Sequence, residues 1–134
     1  KEEVASEMKD MDEKYKIINT LKNEGVKMLL SPDASSSYMM TGCNMVTEME
    51  LLQNANLTNF EIFQMATANF SDFFFVNYGV LKTGKDADFI ILDENPLENL
   101  QTLKQVKGLY FNTNYLSNEK LTEMKKNLLL SSQN

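Results

Sequence analysis

The chain has 134 residues, 43% of them hydrophobic and 24% charged, which is the composition of a folded globular protein and a length that suits one domain. Its net charge of −6 argues against binding to nucleic acid or to an anionic membrane surface, since both need a basic face. It has no histidine and one cysteine, Cys43, so an internal disulfide and a cysteine-based zinc cluster are excluded. No run of about 18 apolar residues predicts a transmembrane helix, and Lys1–Glu7 lacks the apolar region of a signal peptide. The compartment stays open, with the cytoplasm as the default.

A helix followed by a buried strand is predicted in the first part of the chain. Apolar residues recur at intervals of three and four from Met8 to Leu21, which indicates a helix with one buried stripe. Gly25 suits the left-handed position that often follows a helix. Val26–Leu30 is then a nearly continuous apolar run, as in a parallel strand covered on both faces, and Pro32 ends it. A helix, a glycine turn and a buried strand in this order form half of a β/α repeat.

Further helices are predicted before residue 78. Asn44 is placed to cap the first of them. Thr58 and Glu61 have the spacing of a capping box, in which each residue hydrogen-bonds the other's backbone, and their helix should run to about Ala68. The aromatic residues 69–77 suggest a short helix and then a turn.

From Tyr78 onward the pattern changes to short strands that are separated by turns. Strands are predicted at 79–82, 87–92 and 106–111. Ser117 is placed to cap a final helix. The charged residues Lys85, Asp86 and Asp88 are typical of a surface turn in which an aspartate bonds nearby N–H groups.

Asp33 has two interpretations at this point. It follows the predicted buried strand 26–30 and Pro32, so it could be a simple turn residue. The alternative is a carboxylate held at the mouth of a strand, where catalytic residues of barrel enzymes gather.

Several motifs stand in a characteristic order. They are Ser31-Pro-Asp-Ala34, Glu48–Thr58, Ala66-Thr-Ala-Asn69, Gly84-Lys-Asp-Ala-Asp88 and Asn95-Pro-Leu97. Together they resemble the amidohydrolase superfamily, nearest to its imidazolonepropionase-like and prolidase-like members, over about residues 15–128. The first motif is similar to the end of the last barrel strand, and the last two are similar to the return into a small β-sandwich.

The resemblance implies an α/β fold: the last β/α unit of a (β/α)8 TIM-type barrel plus part of the attached small β-sandwich, an incomplete domain. Residues 1–77 would form the C-terminal barrel segment. Residues 78–116 would form the β-sandwich, or composite, segment, and residues 117–134 a C-terminal helix and tail.

The resemblance also assigns Asp33 a role. In the family, the matching aspartate ligates a catalytic divalent metal, here expected to be zinc, and acts as general base toward the attacking water. Ser35 and Tyr38 follow it on what would be an active-site loop and are candidates for substrate binding. The family's histidine ligands are absent, so we expect no metal on this chain alone. Pro32 also replaces the small residue that the family prefers there.

These observations favour a fragment of a metal-dependent hydrolase that acts on C–N bonds other than ordinary peptide bonds, with a cyclic amide, N-acyl amino acid or dipeptide as substrate. Its partners would be the small-molecule amide and the remaining segment of the same enzyme, with self-association of the isolated chain. The alternative is a non-catalytic amidohydrolase-like module with a structural or assembly role. A third interpretation is a soluble α/β domain whose similarity is misleading. A His-x-His motif upstream in the reading frame would favour the first, and a frame opening near Lys1 the second.

Overall fold

The computed structural model describes the backbone of residues 2–32, 42 and 44–131, and the side chains of these residues except 2–8 and 129–131. The chain divides into two compact units, Lys1–Phe74 and Phe75–Asn134. The described elements are, in order, α1 (Glu2–Asn23), α2 (Met45–Asn54), α3 (Asn59–Ala66), α4 (Ala68–Phe74), β1 (Phe89–Ile91), a 3-10 helix (Leu100–Lys104), β2 (Gly108–Phe111), β3 (Asn114–Ser117) and α5 (Asn118–Ser131). None of the helices in the described part of the chain is long and apolar enough to cross a membrane.

Helix α1 is longer than its apolar stripe predicted, because it begins at Glu2 instead of Met8. Tyr15 and Ile18 of the stripe are half-buried. The chain leaves the helix through Gly25, whose φ of +71° confirms the predicted left-handed position.

Residues 26–30, which the apolar run predicted as a strand, have no strand pairing in the described part of the chain. Their backbone groups bond to helices instead. The Leu30 N–H donates to the Met65 carbonyl of α3 at 3.3 Å, and the Asn69 side chain of α4 donates to the Met28 carbonyl at 3.0 Å. The described residues of the first unit contain no strand that could pair with this segment, so these two bonds take the place of strand pairing at Leu30 and Met28.

The capping box at the start of α3 is confirmed. The Thr58 hydroxyl accepts from the Glu61 N–H at 3.3 Å, and a Glu61 carboxylate oxygen accepts from the Thr58 N–H at 2.7 Å. The Thr58 N–H is the main reason that the pKa of Glu61 is lowered, and Lys22 of α1 adds an ion pair at 3.0 Å. Glu61 therefore both caps the start of α3 and connects α3 to α1.

Asn44 precedes α2 as predicted, but its side chain makes no capping hydrogen bond. Its backbone is already helical, with φ −86° and ψ −5°. A capping side chain needs an extended backbone to reach the free N–H groups of the first turn, so this prediction was wrong in mechanism.

The core of the first unit lies where α2, α3 and the 26–30 segment meet. Its buried apolar residues are Leu30, Met49, Leu52, Ala55, Leu57, Ile62 and Met65. Ile62 is fully buried. Met49 and Leu52 in α2, and Ile62 and Met65 in α3, are each three residues apart and so share one face of their helix. Burial of these faces stabilises the packing of the two helices.

The second unit contains an antiparallel sheet in the order β1-β2-β3. Phe89 pairs with Tyr110 across β1 and β2, and their rings stack at 5.4 Å. Strands β2 and β3 are joined by Asn112 and Thr113, which both have positive φ, as a two-residue hairpin requires. Residues 112 and 113 thus form the turn of a hairpin, and its second strand, β3, was not predicted.

Residues 79–82 form no strand, contrary to the prediction. Gly79 has a φ of +97°, which breaks the extended path, and Leu81 is 69% exposed. The apolar run here is too short and too exposed to be paired. In contrast, the Ser117 hydroxyl accepts from the Lys120 N–H at 3.4 Å, which confirms Ser117 as the cap of the last helix.

Candidate functional site

The residues predicted for catalysis, metal binding and substrate binding, namely Asp33, Ser35 and Tyr38, lie outside the described residues, as does Cys43. What the structure describes is the segment that leads to them, up to Pro32. The residues just before Asp33 are therefore the part of the candidate site's surroundings that the structure describes.

Two helices hold the approach segment 28–31 through hydrogen bonds to its backbone. Asn69 of α4 and the Met65 carbonyl of α3 bond to it as described above. Glu48, in the first turn of α2, lies beside this segment, with the Ser31 N–H near its carboxylate. The chain is therefore anchored by α3 and α4 at Leu30 and Met28, a few residues before Asp33.

Glu48 is an unusual residue of this cluster, and the sequence reasoning missed it. Its side chain is half-buried, and its Oε2 atom is buried without a hydrogen-bond partner among the described residues. Burial raises the pKa of Glu48, and the bond from the Ser31 N–H partly opposes this effect. A first-turn glutamate is ordinarily explained by the helix dipole, so nothing in the local pattern indicates that this one is buried.

The Thr83–Asp88 turn, which carries the most specific motif, is fastened to residues 76 and 77 of the same unit. The Asp86 N–H donates to the Asn77 carbonyl at 2.8 Å, and the Asn77 side chain donates to the Asp86 carboxylate at 3.3 Å. The Lys85 ammonium donates to the Val76 carbonyl at 3.2 Å. Lys85 and Asp86 thus shape a surface turn, as predicted.

Asp88 ties the same turn to the sheet. Its carboxylate accepts from the Asn112 N–H at 3.0 Å, at the first positive-φ residue of the β2–β3 hairpin. The motif's last aspartate therefore has a structural explanation.

A substitution at Asp88 tests this explanation. We expect Asp88→Ala to lower the free energy of unfolding by about 1 kcal/mol, because one hydrogen bond to a charged acceptor at a partly exposed site is lost. Asp88→Asn keeps an acceptor oxygen and should lose less than half of that. Urea titration of the full chain measures both, and equal stability of all three proteins would contradict the role.

The second unit also has an open cleft of about 710 Å³ beside this turn. It is lined by Tyr78, Asp86, Ala87, Asp88, Tyr110, Phe111, Asn112 and Thr113. Its two carboxylates are the ones that already accept hydrogen bonds from Asn77 and Asn112. The carboxylates in the cleft therefore stabilise the turn, and they do not form a catalytic arrangement.

The described residues do not by themselves form a binding site for a catalytic metal ion. No group of three or more His, Cys, Asp or Glu side chains that could hold one is found among them. The chain also lacks histidine altogether. A divalent metal needs several such ligands held together, so this part of the chain could supply only a share of them.

Comparison with known proteins identifies the class. The family model for the amidohydrolase family matches residues 4–125, and the chain belongs to this family. Membership indicates hydrolase activity on C–N bonds, in a family whose members generally use divalent metals. Among curated protein sequences, no match to the chain reaches significance.

Proposed function

We propose that this chain is the C-terminal part of a metal-dependent amidohydrolase that cleaves small amides other than ordinary peptide bonds. The observation that carries the proposal is the family match over residues 4–125. The order of Asp33, the Glu48–Thr58 segment and Gly84–Asp88 in the sequence resembles that of the family and supports it. The substrate classes are a cyclic amide, an N-acyl amino acid or a dipeptide, by resemblance to imidazolonepropionase-like and prolidase-like members.

Asp33 is the residue of this chain that would act in the chemistry. It would be one ligand of the divalent metal, proposed to be zinc, and would accept the proton of the attacking water and deliver it to the leaving amine. When bound, the metal would supply Lewis acidity toward the carbonyl. Ser35 and Tyr38 would contact the substrate, because they follow Asp33 within a few residues on the proposed active-site loop.

The remaining segment of the same enzyme would supply the other metal ligands and cover exposed apolar surface. The first unit exposes several large side chains to solvent, notably Ile17, Val26, Phe60 and Phe73. Such exposure is costly in water and favours a further contact or self-association of the isolated chain.

The alternative, a non-catalytic amidohydrolase-like module, draws support from the missing histidines. The deciding experiment is hydrolysis of a panel of dipeptides, N-acyl amino acids and cyclic amides by the complete enzyme that contains this segment. Turnover of one class above the rate of a metal-stripped sample supports the hydrolase. No turnover of any class, in a folded and metal-loaded preparation, supports the module.

The chain by itself should bind no zinc tightly. With no histidine and no described cluster of ligands, the expected calorimetric titration of the full chain with zinc shows no sub-micromolar site. The Asp33→Asn chain serves as the control and should give the same titration. A sub-micromolar site that disappears in Asp33→Asn would show that this chain holds a metal without the remaining segment.

A further inference from the structure

We propose that the open cleft of the second unit binds a small molecule that carries a guanidinium group. The planar cation would lie against the aromatic side chains of the cleft, with its N–H groups directed to the two carboxylates. All the residues that line the cleft lie between Tyr78 and Thr113, within the second unit. The inference therefore does not depend on the role proposed for Asp33.

The cleft has the size and the lining of a small-molecule site. Its volume of about 710 Å³ falls within the range of about 300–1,000 Å³ that ligand pockets commonly have. Three aromatic side chains line it, those of Tyr78, Tyr110 and Phe111. Ligand pockets typically combine such walls with a few polar groups that orient the ligand. A cleft of this kind is suited to a ligand with a flat surface.

The aromatic walls are accessible, and one of them is held in place. Tyr78 is 40% exposed and Phe111 is 56% exposed, so part of each side chain faces solvent. The Tyr110 ring stacks on the Phe89 ring at 5.4 Å with only 12° between the planes. A ring that is already fixed loses little conformational freedom when a ligand binds. Because the face of an aromatic ring is negative, these walls favour a cation.

The charged groups of the cleft select for the same kind of ligand. Asp86 and Asp88 line it, and no lysine or arginine is among its lining residues. The hydrogen bonds from Asn77 and Asn112 use the Oδ1 atom of each carboxylate. An ionised carboxylate has about four acceptor positions, so both can accept further N–H groups. The net charge of −6 adds a long-range attraction for cations.

Among cations, the guanidinium group matches both features of the cleft. It is planar, it stacks on aromatic rings, and its N–H groups form a fork that fits a carboxylate, whereas an ammonium is a strongly hydrated point charge. A metal ion would need more ligands than two carboxylates. In the described part of the chain these two belong to no group of three or more metal-binding side chains.

The test is a titration of the full chain with N-acetyl-arginine amide, followed by ¹H–¹⁵N NMR at about 0.15 M salt to screen non-specific attraction. For a ligand of this size we expect a Kd of about 0.1–1 mM, with the largest shifts at the amides of residues 110–113. N-acetyl-citrulline amide has the same shape without the charge and should bind at least about tenfold more weakly. Equal binding of the two compounds, or no saturable binding of the arginine compound, overturns the proposal.

Variants of the chain show whether the ligand occupies the cleft. Phe111→Leu removes an aromatic ring but keeps an apolar side chain, and should weaken binding by about three- to tenfold. The control is Phe60→Leu in the first unit, where the phenylalanine is 58% exposed, and the affinity should not change. Asp86→Asn keeps an acceptor for the Asn77 side chain but loses the charge, and should also weaken binding by about three- to tenfold.

Unchanged affinity in Phe111→Leu or in Asp86→Asn overturns the arrangement. If Phe111→Leu loses the dispersed NMR spectrum of a folded chain, Tyr78→Leu takes its place, because Tyr78 lies outside the strands of the sheet.

A blocked tripeptide with arginine at its centre tests whether the cation belongs to a polypeptide instead. Binding within about tenfold of N-acetyl-arginine amide supports a small molecule, since the flanking backbone then adds little. Binding more than about tenfold tighter would indicate a polypeptide partner and overturn the small-molecule assignment.

Discussion

Replacing Asp33 by asparagine in the complete enzyme is expected to lower kcat by about a hundred- to ten-thousandfold, which is the usual cost of losing a general base. Asparagine has nearly the same shape and suits the same turns, but it cannot accept a proton from water at neutral pH. The melting temperature should stay the same, because a carboxylate just beyond Pro32 contributes little to packing. The measurement is steady-state hydrolysis of the best substrate class, together with thermal melts and metal analysis of both proteins.

The control for this experiment is Asp72→Asn. Asp72 lies in α4 of the same unit, where its exposed carboxylate forms an ion pair with the exposed Lys27 at 3.0 Å. Surface pairs of this kind contribute about 0–1 kcal/mol, so this variant should keep both activity and stability. Activity of Asp33→Asn within about threefold of the unmutated enzyme, at equal metal content, would remove Asp33 from the mechanism.

Local chemistry explains which parts of the fold could be predicted from the sequence. The Thr58–Glu61 box and the Gly25 turn depend on residues a few positions apart, and both are present. The Ser117 cap is confirmed for the same reason. Motifs of this kind require particular atoms at short separations, so competing tertiary contacts seldom override them.

Apart from the Asn44 cap, whose backbone is helical, the predictions that failed concern strand pairing, which local pattern does not determine. Residues 26–30 are apolar enough for a buried strand, and Leu30 is only 4% exposed, but strand structure needs a neighbouring strand to supply hydrogen bonds. At β3 a strand was present that had not been predicted. Asn114–Ser117 has a single fully apolar residue, Leu116, and so gives no strand pattern. It is a strand because the hairpin at Asn112 and Thr113 returns the chain beside β2.

The same distinction between local sequence pattern and tertiary packing applies to the candidate site. Asp33 could be selected from motif order and family resemblance, which do not require a structure. The raised pKa of Glu48 and the burial of its Oε2 atom could not be predicted from the sequence. Those quantities arise only when α2 packs beside the approach segment.

The largest effect on stability is expected for Ile62→Ala. Ile62 is fully buried in α3, between the capping box that starts this helix and the Met65 carbonyl that holds the approach segment. Deleting its buried side-chain carbons leaves a cavity, and such substitutions cost about 2–5 kcal/mol. The matched control is Phe60→Ala on the same helix, which removes a larger side chain that is 58% exposed and should cost no more than about 1 kcal/mol. Urea titrations of the full chain, followed by far-UV circular dichroism, compare the two. If both variants lose the same free energy of unfolding, Ile62 does not pack in a core, and the support that α3 gives to the approach segment must come from its hydrogen bonds alone.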